Sequence, residues 1–276
     1  FKLMFLSGAT KLTSGDRTWW GLTALRYHYW TQPLPIWTSV YANALPDLAQ
    51  KRTLAVEAAS DDLRQAIRKK VTDGKLLDGV RAAYQAGWKH VKLYFMVGFP
   101  GERPPDIDGI FDLSVAVSDE RRKLGKGPAA VTAAIGWLVP KPFTPLQWMA
   151  QPSVEYFRTA RDRLASLARA RRTPVRFRMQ RPERSILEAV LARGDRRLAP
   201  VIQAAWHRGA RFDSSDETFQ PELWDSAFAE LGIDPAFYAQ RERPFAELLP
   251  WDHIGLRLTR EYLESSYRDV LRRADR

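Results

Sequence analysis

Between residues 53 and 179 the apolar period of the chain switches repeatedly, and this alternation limits the possible folds more than any other feature. Residues 54–57, 91–97, 131–139 and 175–179 are short apolar runs of the strand type. Helical stripes lie between them. Ser60 can cap a helix carrying Leu63, Ile67 and Val71, and Thr72 or Asp73 can cap one carrying Leu76, Leu77, Val80, Ala83 and Tyr84 that stops at Gly87. A third helix is predicted over 106–124, and a fourth over 153–170 with Phe157, Ala160, Leu164 and Leu167 at helical spacing. Strands separated by helices of this length return as parallel crossovers, not as hairpins. Four strands and four helices predict an α/β fold: a partial (β/α) barrel, about half of an eightfold one.

The flanking regions differ in texture. Residues 1–50 are rich in aromatics and turn formers, as in Trp19-Trp20, Tyr27-His28-Tyr29-Trp30 and Gln32-Pro33-Leu34-Pro35, where each proline holds its predecessor extended. After residue 181 the pattern is helical, with one stripe of Ile186, Leu187, Val190 and Leu191 ending at Gly194 and another of Leu198, Val201, Ile202, Ala205 and Trp206 ending at Gly209. Further helices are predicted near 221–231 and 259–273. The expected organisation is an irregular segment over 1–50, a half barrel over 51–180 and a small helical domain over 181–276 that covers the barrel mouth. Half a barrel leaves strand edges that seek partners, so either self-association or a chain supplying the missing half is expected.

Composition narrows the chemistry. The chain has 276 residues, 45% hydrophobic and 27% charged, which suits a folded protein with one large or two smaller cores. It contains no cysteine, which removes disulfides, thiolate metal sites and cysteine nucleophiles. The net charge of +11 comes mainly from arginines, in runs such as Arg121-Arg122-Lys123 and Arg169 to Arg172. These runs read either as solvated helix faces or as contacts to RNA or another polyanion. No run approaches the roughly 18 apolar residues of a membrane span, and the opening Phe1 to Leu6 lacks the basic start and long apolar core of a signal peptide; a cytoplasmic location is the default expectation. The start at Phe1 suggests a piece of a longer chain. His28 has no evident partner, and His207 and His253 with Asp213, Asp216 and Asp252 match no compact metal-ligand spacing, so surface or capping roles are expected.

Two resemblances add to this reading. Leu3-Met4-Phe5, Ser14-Gly15-Asp16, Thr18-Trp19, Leu22-Thr23-Ala24-Leu25, Tyr27-His28-Tyr29 and Thr31-Gln32-Pro33-Leu34-Pro35 resemble the lipase maturation factor family, membrane proteins that help lipases fold. The resemblance is to a loop between membrane helices, and it implies a lipase-folding role only as a fragment.

Residues 53 onward resemble the C-terminal part of radical S-adenosylmethionine proteins of the group that carries a cobalamin-binding domain. The matching strings are Thr53-Leu54-Ala55-Val56-Glu57-Ala58-Ala59-Ser60, Val91 to Glu102 through Gly98-Phe99-Pro100-Gly101, and Val139-Pro140-Lys141-Pro142-Phe143-Thr144-Pro145. The resemblance implies an S-adenosylmethionine site at the strand carboxyl ends: Glu57 accepting from amino or ribose groups, the backbone at Gly98, Pro100 and Gly101 approaching the ligand, and Val139 beside the adenine. It also implies an iron-sulfur cluster and reductive cleavage of the cosubstrate, but the cluster cysteines are absent and this chain alone is expected to be inactive. Val56, Ala59 and Phe143 depart from the proline, glycine and histidine usual in that group. The change near residue 50 reads as a junction of two unrelated sequences, either a natural fusion or an assembly error.

Overall fold

The computed structural model describes residues 53–274, apart from 68, 70, 172, 256 and 257. The readings made of residues 1–50 therefore lie outside the described residues. The chain divides into two compact units, Phe1–Arg52 and Thr53–Arg276. The helices after residue 181 thus share a unit with the sheet.

The second unit is a mixed α/β structure built on four parallel strands, β1 Thr53–Glu57, β2 His90–Val97, β3 Ala130–Trp137 and β4 Val175–Met179, hydrogen-bonded in the order β1-β2-β3-β4. Each strand pairs with the next one in sequence, and the sheet remains open among the described residues. The helices are α1 Asp61–Ala66, α2 Asp73–Gln85, α3 Pro104–Arg122, α4 Val154–Ala170, α5 Pro182–Arg193, α6 Ala199–His207, α7 Pro221–Glu230, α8 Pro235–Ala239 and α9 Arg260–Ala274.

Local sequence explains most boundaries. Ser60, Thr72 and Ser153 accept from backbone N–H groups three residues on, which satisfies donors that the first helical turn would leave orphaned. Pro104 opens α3 two residues before the predicted start, because proline's fixed φ suits the first helical position and its missing N–H is not needed there. The first helix is shorter than its stripe suggests: it ends at Ala66 with Ile67 as its cap, so Val71 lies beyond it. The short α8 and the 3₁₀ turns Pro145–Trp148 and Arg196–Leu198 lack a periodic signal and are not evident in the sequence pattern.

The strands alternate strictly. Val91, Leu93, Phe95 and Val97 of β2 and Val131, Ala133, Ile135 and Trp137 of β3 point into one core with Leu76, Val80 and Tyr84 of α2, Phe111 and Val117 of α3, and Phe157 and Leu164 of α4. Each such side chain contributes about 1.5–3 kcal/mol by leaving water. The three connecting helices therefore cover one face of the sheet. A second core gathers α5 to α8 around Val190, Val201, Phe228 and Tyr238. A third joins Leu63 of α1, Trp148, Trp251 and Leu263 and Tyr267 of α9. It is this third core that fastens the last helix over the carboxyl ends of the strands.

Candidate functional site

Those strand ends enclose a cavity of about 590 Å³. Glu57 from β1, Met96 from β2, Gly136, Trp137, Leu138 and Val139 from the end of β3, and Gln180 after β4 line it. Tyr262, Ser266 and Val270 of α9 form another wall, so the helical tail covers the mouth as its position in sequence implies.

Glu57 reaches the cavity through an irregular turn. The β1–β2 register shifts between Ala55 and Glu57, a bulge that buries Val56 in the core and sets Glu57 at φ 70°, in the left-handed region. Bulges re-aim the side chains that follow them, and a left-handed non-glycine residue is strained unless its neighbours hold it. Arg64 does the holding. Its side chain is 1% exposed, its Nη1 donates to the carbonyls of Ala58 and Ala59 at 2.9 Å each, and its Nη2 pairs with Asp61 and Asp73. Lys69 sits 3.3 Å from the Glu57 carboxylate, with both side chains about a third exposed.

The end of β3 is equally tied down. The Trp137 indole N–H donates to the Gln180 carbonyl at 2.8 Å, joining the exits of β3 and β4. Gln151 donates to the carbonyls of Leu138 and Ser185 at 2.9 and 3.1 Å. Beyond it Phe143 lies at φ 60° and donates its N–H to Gln147 Oε1 at 3.0 Å, an oxygen that also accepts from the Trp251 indole at 2.7 Å. Lys141 and Glu188 pair at the rim.

Gly98, Pro100 and Gly101 do not line this cavity. Gly98 has φ 113°, and a Cβ there would meet Phe157, Leu138 and Pro152 at 3.0–3.2 Å. Its N–H is taken by Glu102 Oε2 at 2.8 Å. At Gly101, with φ 74°, a Cβ would lie 2.5 Å from the Ala274 carbonyl at the end of α9. Gly98, Gly101 and Glu102 therefore serve their own turn and the seat of α9, while Phe99 lines the cavity. Glu102 also accepts from the Tyr156 hydroxyl at 2.6 Å, and its burial outweighs those two hydrogen bonds and pushes its carboxyl up to about 7.

Glu57 and Val139 thus meet at one cavity, while the glycines stand behind it. Sequence reasoning missed Arg64, Gln151 and the α9 residues. Arg64 lies on the polar side of a short helix, and nothing in its spacing marks it as buried. Of the acidic residues weighed as metal ligands, Asp216 accepts from Arg184 at 2.6 Å and Asp252 pairs with Arg260.

The comparisons match the two parts of the chain to different proteins. The lipase maturation factor transmembrane domain profile matches residues 1–62. Lipase maturation factor 2 of Gallus gallus is 59% identical over 51 residues, 18% of this chain and 7% of that protein. The human protein of the same name is 59% identical over 46 residues, 17% of this chain and 6% of its own length. An uncharacterized protein of Methanocaldococcus jannaschii is 29% identical over 151 residues, 54% of this chain. A match of that length cannot fit within the first 52 residues and falls mostly on the α/β unit. The chain spans 31% of the Methanocaldococcus protein and under a tenth of the two lipase factors. No solved structure matches it. Among the described residues no helix is long and apolar enough to cross a membrane.

Proposed function

We propose that the second unit is a half barrel of the radical S-adenosylmethionine type, retaining a seat for S-adenosylmethionine at its strand ends without the cluster that would activate it. The observation that carries this reading is a conjunction: four parallel strands in unbroken sequential order, with Glu57 and Val139 facing one cavity at their carboxyl ends. Active sites of βα barrels occupy that end, because loops there vary without disturbing the core.

The residues present fit the cosubstrate and not the cluster. A carboxylate at Glu57 accepts from an amine or ribose hydroxyl, and Met96, Trp137, Leu138 and Val139 offer an apolar wall to a purine ring. Cluster ligation needs thiolates, and the chain has none. No reductive step is assigned to this chain. Radical chemistry would require a cysteine-bearing chain that completes the barrel, which makes such a chain the partner implied by this reading.

Isothermal titration of the full chain with S-adenosylmethionine tests it. Saturable binding that weakens at least tenfold in Glu57→Gln is expected. Absence of binding by the wild-type chain, or equal binding by the variant, overturns the reading.

A second reading concerns residues 1–62, whose match to the lipase maturation factor domain supports a contact with folding lipases. Co-expression with a secreted lipase tests it: active lipase rises if the segment assists folding and stays level if it does not.

A further inference from the structure

The cavity occupies the carboxyl end of one sheet face, and a second feature lies further along that face, which the connecting helices among the described residues leave free. Because β2 and β3 bury every other residue against the helices, the alternate residues face the opposite way. The pairing aligns Lys92 with Thr132 and Arg176 in one row, and Tyr94 with Ala134 and Arg178 in the next. Arg176 and Arg178 are exposed and have no ionic or hydrogen-bond partner among the described residues. Tyr94 is 39% exposed, and the Lys92 ammonium stands over its ring at 4.5 Å.

This row arrangement differs from the basic helix faces of the same unit. There most arginines are neutralised by neighbours, as Arg163 is by Asp108, Arg158 by Glu183 and Arg208 by Glu230. On the sheet face three cations flank Thr132, whose hydroxyl is hydrogen-bonded to His90 Nε2 at 2.9 Å, and Ala134, with the Tyr94 ring beside them and no carboxylate in either row. Unpaired cations supply phosphate contacts, an exposed ring supplies a stacking surface, and a flat floor of small residues lets a planar base approach. A second copy of the chain placed face to face would bring six cations together away from water without a counter-charge.

From this geometry we infer that the uncovered sheet face binds single-stranded nucleic acid, with Lys92, Arg176 and Arg178 on the backbone and Tyr94 stacked on a base. The next row on this face, Met96 with Gly136, lines the strand-end cavity, so the proposed site adjoins it.

Fluorescence anisotropy of the full chain with a labelled single-stranded RNA 12-mer of mixed sequence tests the assignment. The triple variant Lys92→Gln/Arg176→Gln/Arg178→Gln is expected to bind at least tenfold more weakly. Its slope of log affinity against log salt should be shallower by about 2, since each phosphate contact on a single strand contributes about 0.7. Tyr94→Ala should weaken binding about tenfold with the salt slope unchanged, the signature of a lost stack. The control Arg122→Gln/Arg272→Gln, which removes two exposed helix cations, should bind as the wild type does. Circular dichroism melts confirm that each variant is folded. Three results overturn the inference: no binding by the wild-type chain, equal losses in the control and the triple variant, or a Tyr94→Ala protein indistinguishable from wild type, which would indicate diffuse attraction to any polyanion. A dimer that dissociates in the triple variant, without RNA binding by the wild type, would assign the face to self-association and overturn it equally.

Discussion

The turns after β1 and β2 occupy equivalent places at the carboxyl ends of adjacent strands, yet they do opposite work. The β2 turn closes on itself at its glycines: Gly98 hands its N–H to Glu102 and packs against Phe157, Leu138 and Pro152, while Phe99 supplies cavity wall. The β1 turn is held open from behind by Arg64, which leaves Glu57 strained, partly exposed and facing the cavity. A glycine at a strand end can thus indicate internal packing, while a charged residue in the left-handed region nearby is held there by its surroundings, here by Arg64.

The largest expected effect comes from filling the closed turn. Gly98→Ala adds a Cβ within 3.0–3.2 Å of three side chains at a φ of 113°, where an L-residue is strained. Together the crowding and the backbone cost should destabilise the protein by about 3 kcal/mol, read as a fall in the urea midpoint at constant slope. A variant within 0.5 kcal/mol of wild type, a margin about that of ordinary surface changes, would mean the turn has room for a ligand after all. The open turn should break next. Arg64→Met preserves the apolar stem but strips donors from the Ala58 and Ala59 carbonyls, costing about 2 kcal/mol and freeing Glu57 to move. Loss of S-adenosylmethionine affinity greater than the loss in stability would identify Arg64 as a positioning residue for Glu57; a loss of stability alone would make it scaffold.

The fold was legible where a period carries it. Val91 to Val97 and the Phe157, Ala160 and Leu164 stripe could only bury one face, and capping by Ser60, Thr72 and Ser153 marked the starts of their helices. Glu57 and Val139 were assigned to one site at the strand ends by the resemblance alone, and both line the same cavity. The glycines could not be sorted the same way, since the sequence of a tight turn is identical whether it cradles a ligand or a helix end such as Ala274. Arg64 was hidden for a different reason: its burial depends on carbonyls released by the bulge at Ala55 and Glu57, and no local pattern encodes a bulge. The uncovered sheet face was invisible as well. Arg176 and Arg178 alternate with Val175 and Phe177 as any half-exposed strand would, and only the register puts Lys92 and Tyr94 beside them.

The third test uses pH to separate the two turns. Glu102 is pushed up to about 7 from an ordinary 4.5 by burial. A carboxyl that binds its proton more tightly in the folded state stabilises the fold fully below pH 4.5 and loses that contribution as pH rises through about 7. Glu102→Gln keeps an acceptor for Gly98 and Tyr156 without a charge. It should match wild type at pH 4 and exceed it by about 2–3 kcal/mol at pH 8.5, where the native carboxylate is ionised in its buried site. A difference independent of pH would show that Glu102 is solvated and that the β2 turn is as open as the β1 turn.

The smallest expected change in stability is also the most informative about function. Glu57 sits at φ 70°, a conformation glycine adopts freely, and its pair with Lys69 is partly exposed. Glu57→Gly removes a surface ion pair worth about 0–1 kcal/mol and relieves backbone strain of about 1 kcal/mol. The two terms nearly cancel, so the melting temperature should stay level or rise slightly. If Glu57 is retained for a ligand, the same variant should lose S-adenosylmethionine binding completely. A residue that costs nothing to remove from the fold but is needed at the cavity can be explained only by what the cavity holds. If instead stability falls by more than about 1 kcal/mol, Glu57 is a structural partner of Lys69, the contrast between the two turns disappears, and the strand ends have become scaffold on both sides.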